Sequence, residues 1–175
     1  MSQLHEIISK YIPIKSQLLD IGFGSGRDLQ HLKSNNHTIW GIDPSIKFVE
    51  YAQSRFPEIK NQFMQASLPF ENNLFGKVKF DAIISIAVWM HLYRKEYKDA
   101  VESILNVSKS TSVIIISYSI GSREQKDGRY FEIVDLEYLT QLFANDNFKL
   151  IDTIKNKDSL ERDSLTWITV VFKRD

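Results

Sequence analysis

The chain alternates short, nearly continuous apolar runs with amphipathic stretches. Leu18–Ile21, Ile39–Ile42, Ala82–Ile86 and Val113–Ile116 read as strands buried on both faces of a sheet. Between them the apolar residues recur at helical spacing. Residues 2–11 predict a short helix with Leu4, Ile7, Ile8 and Tyr11 on one face, ended by Pro13. A strand follows over 17–22, then a helix from about 26 to 34 with Leu29 and Leu32 inward. The second strand is 38–42. Ser45 opens a helix to about residue 55, with Phe48, Val49, Ala52 and Phe56 facing in and Pro57 as the stop. A weaker strand is expected over 61–65 and a strong one over 79–86. A helix from about 94 to 108 precedes the fifth strand, 112–118. Residues 119–131 are polar and without periodicity, so they read as a loop. A helix over 135–143, a strand over 148–154, the polar stretch 155–164 and a strand over 166–172 complete the order.

Strand and helix thus alternate through five strands, and the last two strands are joined without a helix. A parallel crossover needs a dozen or more residues, usually helical, so the last strand should run antiparallel. The expected fold is α/β: a three-layer αβα arrangement around a doubly wound, seven-stranded, mostly parallel sheet. Composition fits a single domain over 1–175. Hydrophobic residues make up 43% and charged residues 25% of the 175, ordinary for a globular chain with one sizeable core. Lys and Arg balance Asp and Glu at 22 each, so no basic excess advertises a nucleic-acid surface. The absence of cysteine rules out disulfides and thiolate chemistry. The four histidines, His5, His31, His37 and His91, show no metal-ligand spacing, and no metal is expected. There is no long apolar run and no leader pattern, so the expectation is a soluble, cytoplasmic protein without a membrane partner.

The chemistry concentrates at Asp20-x-Gly22-x-Gly24-x-Gly26. Glycines at alternate positions after a buried strand let the backbone turn sharply and approach a ligand closely. A helix starting near Ser25 would aim its free N–H groups at that turn. The dinucleotide pattern G-x-G-x-x-G fails in both registers, because its third glycine would fall on Arg27 or on Leu29. Asp43 ends the second strand, about 20 residues after the turn, where a carboxylate can accept hydrogen bonds from both hydroxyls of a ribose. A tight turn without a ligand, and Asp43 as a helix N-cap, are the alternatives.

These residues resemble motif I of the class I S-adenosylmethionine-dependent methyltransferases, a (D/E)-x-G-x-G-x-G run after the first strand. Phe80-Asp81-Ala82-Ile83-Ile84 resembles the same family's motif IV, and the likeness extends over about residues 1–173. It implies a seventh strand inserted antiparallel between the fifth and sixth. It also implies a helical cover over 1–16, a cofactor-binding half over 18–110 and a substrate-side half over 111–175. The implied cofactor is S-adenosylmethionine, with S-adenosylhomocysteine as product. Gly22, Phe23, Gly24 and Gly26 would pack on it, Asp20 would receive its ammonium, and Asp43 with Pro44 would meet its ribose. Arg27 either pairs with its carboxylate or stays solvated. The family commonly places an acid near the adenine, before a Leu-Pro-Phe-like segment. Here Leu68-Pro69-Phe70 is present, while Gln65, Ala66 and Ser67 stand where the acid would be. Ile86 and Ala87 fall beside the reacting methyl group.

His91 lies near the implied methyl group and is the candidate general base; plain packing is the alternative. Trp89, Tyr93, Arg123, Tyr130 and Arg162 are candidate acceptor contacts, with Arg129 beside them. The arginines would suit an anionic group, and a solvated surface is the alternative. Ala87-Val88-Trp89-Met90 replaces the N-P-P-Y-type tetrapeptide of enzymes that methylate amide or exocyclic amino nitrogens. The expected activity is methyl transfer to an oxygen or nitrogen of a small-molecule acceptor. A tRNA or protein methyltransferase that borrows its substrate surface from a partner subunit, and a non-catalytic cofactor-binding scaffold, are the other classes.

Overall fold

The structure is a computed structural model, described here for residues 3–121, 130–157 and 165–174. A seven-stranded sheet runs in the order β3-β2-β1-β4-β5-β7-β6. Its strands are β1 (Gln17–Ile21), β2 (Thr38–Asp43), β3 (Phe63–Gln65), β4 (Phe80–Ile86), β5 (Ser108–Gly121), β6 (Phe148–Lys157) and β7 (Leu165–Arg174). The first five are parallel, and β7 lies antiparallel between β5 and β6. The short polar link before β7 had required that direction. Five α-helices occur among the described residues: α1 (Gln3–Tyr11), α2 (Leu29–Ser34), α3 (Ile46–Arg55), α4 (Tyr97–Val107) and α5 (Leu136–Ala144).

Each sheet face has its own core. On one, Ile7 and Ile8 of α1, Leu29 and Leu32 of α2, and Val49 and Ala52 of α3 pack on Leu18, Ile84 and Ile115. On the other, Tyr97, Val101 and Ile104 of α4 and Leu139 and Phe143 of α5 pack on Leu19, Ile83 and Ile114. Alternate strand residues therefore serve opposite faces, which is why the strands are apolar throughout. Helix α1 has nine residues and is too short to persist alone. Burial of Ile7, Ile8 and Ile12 holds it, at about 1.5–3 kcal/mol for each side chain fully buried.

Several boundaries differ from expectation. Helix α2 begins at Leu29 rather than near 26, because Gly22, Gly24 and Gly26 all have positive φ (73°, 55° and 69°), incompatible with a right-handed helix. The expected helix N-terminus at Ser25 is therefore absent, and the turn runs on to Asp28. Phe48 points outward and is exposed, while Val49, Ala52 and Phe56 are buried. Pro57–Gln62 forms 3₁₀ turns, leaving β3 only three residues. Strand β5 starts at Ser108, directly after α4, four residues earlier than the apolar run suggested. Strands β6 and β7 are also longer than their apolar stretches, since each pairs along its length.

Candidate active site

The site forms beyond the C-terminal ends of β1, β2 and β4, where ligands of open α/β sheets bind. The turn after β1 folds back on β2: the Gly22 N–H donates to the Ile42 carbonyl at 2.7 Å. A Cβ on Gly22 would stand 2.4 Å from Cγ2 of Val88. Only glycine allows that approach, and Val88 thereby joins the turn to the loop after β4. At Gly24 the situation is reversed: a Cβ there would meet no atom within 4 Å. The backbone faces open space, which suits a ligand.

Asp43 ties this turn to the next helix. Its buried carboxylate accepts the Gly24 N–H on Oδ2 and the Ser45 N–H on Oδ1, both at 2.8 Å. It therefore holds Ser45, the residue that leads into α3, and braces the glycine turn together. A carboxylate offers about four acceptor sites, so these two bonds leave acceptor capacity on both oxygens.

Asp20 is a different kind of acid. It is 4% exposed, and among the described residues its carboxylate has no hydrogen-bond partner. Burial pushes its pKa well above the usual carboxylate range, and the charges of Asp28 and Asp43 add to the shift. A buried acid left like this is costly unless a cation meets it. Such a group binds more protons in the folded than in the unfolded chain, so it lowers stability as pH rises above the ordinary carboxylate pKa. Asp20→Asn should remove that loss. Thermal unfolding followed against pH should show the variant's advantage emerging above about pH 4 and growing with pH; parallel curves for the two proteins would refute it.

The remaining candidates divide clearly. Phe23 is buried, with its ring edge-on to Phe63 at 5.6 Å, and its main chain lies in the turn. Arg27 has a side chain 74% exposed and pairs with Asp28 at 3.3 Å, the solvated alternative. Gln65 is exposed and donates its amide to the Pro44 carbonyl at 3.0 Å, while the Ala66 N–H donates to the Asp43 carbonyl at 3.2 Å. Ser67 is exposed. These residues and Pro44 thus line up beside Asp43. Ile86 and Ala87 are half-buried. Ala87 has φ 62°, a conformation rare for a non-glycine residue, and its N–H donates to the Ser117 carbonyl at 2.8 Å.

Trp89 is wholly buried, its ring edge-on to Tyr97 at 5.2 Å, in the core behind the site. His91 lies on the site side. Its N–H donates to the Val88 carbonyl at 2.8 Å, and its Nδ1 lies 2.8 Å from the Tyr130 carbonyl. Exposed Tyr93 and Tyr130 pack against each other at 4.1 Å between ring centroids. Arg123, Arg129 and Arg162 lie outside the described residues. The sequence pattern had no signal for Glu132, whose carboxylate accepts from Tyr130 Oη at 2.6 Å and from the Arg94 N–H at 3.0 Å. Among the described residues no cluster of side chains could hold a metal, and no helix is long and apolar enough to cross a membrane.

Comparison with known proteins bears on the family and the fold. A family model described as a methyltransferase domain matches residues 18–111. The chain belongs to that family, within the class I S-adenosylmethionine-dependent methyltransferases. It is 21% identical over 174 residues to an uncharacterized methyltransferase of Staphylococcus carnosus (strain TM300), covering 91% of this chain and 79% of that one. The fold is similar to that of Burkholderia thailandensis 1,6-didemethyltoxoflavin-N1-methyltransferase, solved with 1,6-didemethyltoxoflavin and S-adenosylhomocysteine. That match has a TM-score of 0.74 and 16% identity, over 97% of this chain and 76% of that one. It is also similar to magnesium protoporphyrin IX methyltransferase from Synechocystis PCC 6803, solved with S-adenosylhomocysteine. There the TM-score is 0.72 and the identity 15%, over 98% of this chain and 80% of that one.

Proposed function

We propose that this protein transfers the methyl group of S-adenosylmethionine to an oxygen or nitrogen atom of a small-molecule acceptor. The observation that carries the cofactor assignment is Asp20, a buried acid without a partner at the end of β1. The residues present fit the cofactor. Asp20 suits its ammonium, the open face of Gly24 leaves room for its methionine part, and the remaining acceptor capacity of Asp43 suits its ribose hydroxyls. Gln65, Ala66 and Ser67 would border the adenine, with no acid among them.

When bound, the cofactor supplies an electrophilic sulfonium methyl group. The protein's main task is then to hold the acceptor atom in line. Ile86 and Ala87, at the strained exit of β4, would flank that line. His91 would take the proton that the acceptor loses. Tyr93 and Tyr130 offer an aromatic wall for it. A small acceptor is supported by the balanced charge of the chain, since phosphate contacts dominate nucleic-acid binding. The toxoflavin-precursor and protoporphyrin methyltransferases among the solved structures of this fold add to that support.

Calorimetric titration with S-adenosylhomocysteine tests the proposal. Binding in the micromolar range is expected, and Asp20→Asn should weaken it. No binding at millimolar ligand by the folded protein would overturn the cofactor reading.

A further inference from the structure

The segment leading from Tyr130 to α5 lacks any periodic pattern, yet it is tied to the loop after β4 at several points. The Glu132 N–H donates to the Met90 carbonyl at 2.8 Å. The Glu132 carboxylate accepts from the Arg94 N–H and the Tyr130 hydroxyl on the same oxygen, Oε2. The Arg94 guanidinium forks onto Asp135, at 3.1 and 2.9 Å, and Asp135 caps α5 through the Tyr138 N–H. The hydrogen bond to Glu132 is also the main reason the Tyr130 hydroxyl is pushed up to about 12, so it remains a donor. Inside this clamp the Tyr130 carbonyl meets Nδ1 of His91 at 2.8 Å, and the Phe131 ring lies 4.5 Å from the imidazole, centroid to centroid.

A carbonyl oxygen can only accept a hydrogen bond, so the ring nitrogen facing it must carry the hydrogen. A neutral imidazole carries one such hydrogen. Its Nε2 is then left with a free lone pair, and among the described residues nothing bonds to it. We propose that Glu132 is a positioning residue, holding the Tyr130 carbonyl on Nδ1 of His91 so that Nε2 is the proton-accepting atom. This rests on His91 acting as the base. If the clamp is lost, the ring can rotate or exchange tautomer with water, and the lone pair is no longer directed.

A merely structural clamp would stabilise the loop without dictating the tautomer, and that difference can be measured. Long-range ¹⁵N–¹H correlation spectra of the full chain distinguish the two neutral imidazole forms, and His91→Asn identifies the His91 signals. The wild type should show His91 protonated at Nδ1. Glu132→Ala should lose that form, giving protonation at Nε2 or an exchanging mixture. Glu132→Gln should retain it, because the Gln carbonyl oxygen can accept from the same two donors. Tyr130→Phe removes one of those donors and should move the spectrum partway, which keeps the test decisive if Glu132→Ala unfolds. Nε2 protonation in the wild type, or an unchanged His91 in folded Glu132→Ala and in Tyr130→Phe, would overturn the proposal. Titration with S-adenosylhomocysteine should be unaffected in these variants. Failure of the wild type to bind it would count against the methyltransferase reading, leaving the tautomer result to be judged separately.

Discussion

Asp43→Ala is expected to weaken S-adenosylhomocysteine binding by about two orders of magnitude or more while the protein stays folded. The carboxylate braces the glycine turn through the Gly24 N–H and holds Ser45, just before α3, through its N–H. It would also accept two ribose hydroxyls. Hydrogen bonds to a charged group contribute about 1.5–3 kcal/mol each, and every 1.4 kcal/mol is about tenfold in affinity. Two lost ligand bonds thus account for roughly 100-fold or more, before any loosening of the turn. Folding should survive, because β1, β2 and β4 are held by buried Leu19, Ile21, Ile42 and Ile83, which the substitution leaves in place. Asp43→Asn separates the two roles: it keeps one acceptor oxygen and nearly the same shape, so its loss should be smaller. Calorimetric titration with thermal unfolding alongside would check both statements. Unchanged affinity in Asp43→Ala would remove this residue from the site.

His91→Ala should lower turnover by about 10²–10⁴-fold, the usual contribution of a positioned general base, and leave cofactor affinity within a factor of about two. The His91 side chain meets the Tyr130 segment, and Val88, which packs on Gly22 of the turn, is left in place by the substitution. His91→Asn is the sharper variant. Its side-chain amide can replace the Nδ1–H donor to the Tyr130 carbonyl but cannot accept a proton, so it should keep the local structure and still lose turnover. Single-turnover methyl transfer to an acceptor found by screening aromatic and anionic metabolites would measure this. Wild-type rates in His91→Asn would show that the acceptor needs no base.

How much of this was legible beforehand follows from what each signal encodes. Strand order in sequence, the glycine turn and the direction of β7 rest on local features: continuous apolar runs, glycine spacing and the length of a link. Those features hold whatever surrounds them, and the structure agrees with them. The start of α2 is not legible, because helical spacing of Leu29 and Leu32 says nothing about backbone angles at Gly26, whose φ is 69°. Position in the motifs places Phe23 and Trp89 among the ligand contacts. Their rings pack in the core, Phe23 against Phe63 and Trp89 against Tyr97, because a large apolar side chain gains more from burial than from exposure.

The site's electrostatics belonged to the tertiary structure alone. Asp20 could be named from its motif, but its lack of a partner and its raised pKa arise from burial and from the approach of Asp28 and Asp43. His91 could be named as a base, but its tautomer depends on a carbonyl 39 residues away. That meeting requires β4 and β5 to pair side by side and the Glu132 segment to fold back on Met90. Sequence periodicity determined which segments are strands and helices, because it reports the face that each one must bury. Only the packed chain decided which loop ends converge, because that depends on sheet order and long-range hydrogen bonds, for which no local pattern codes.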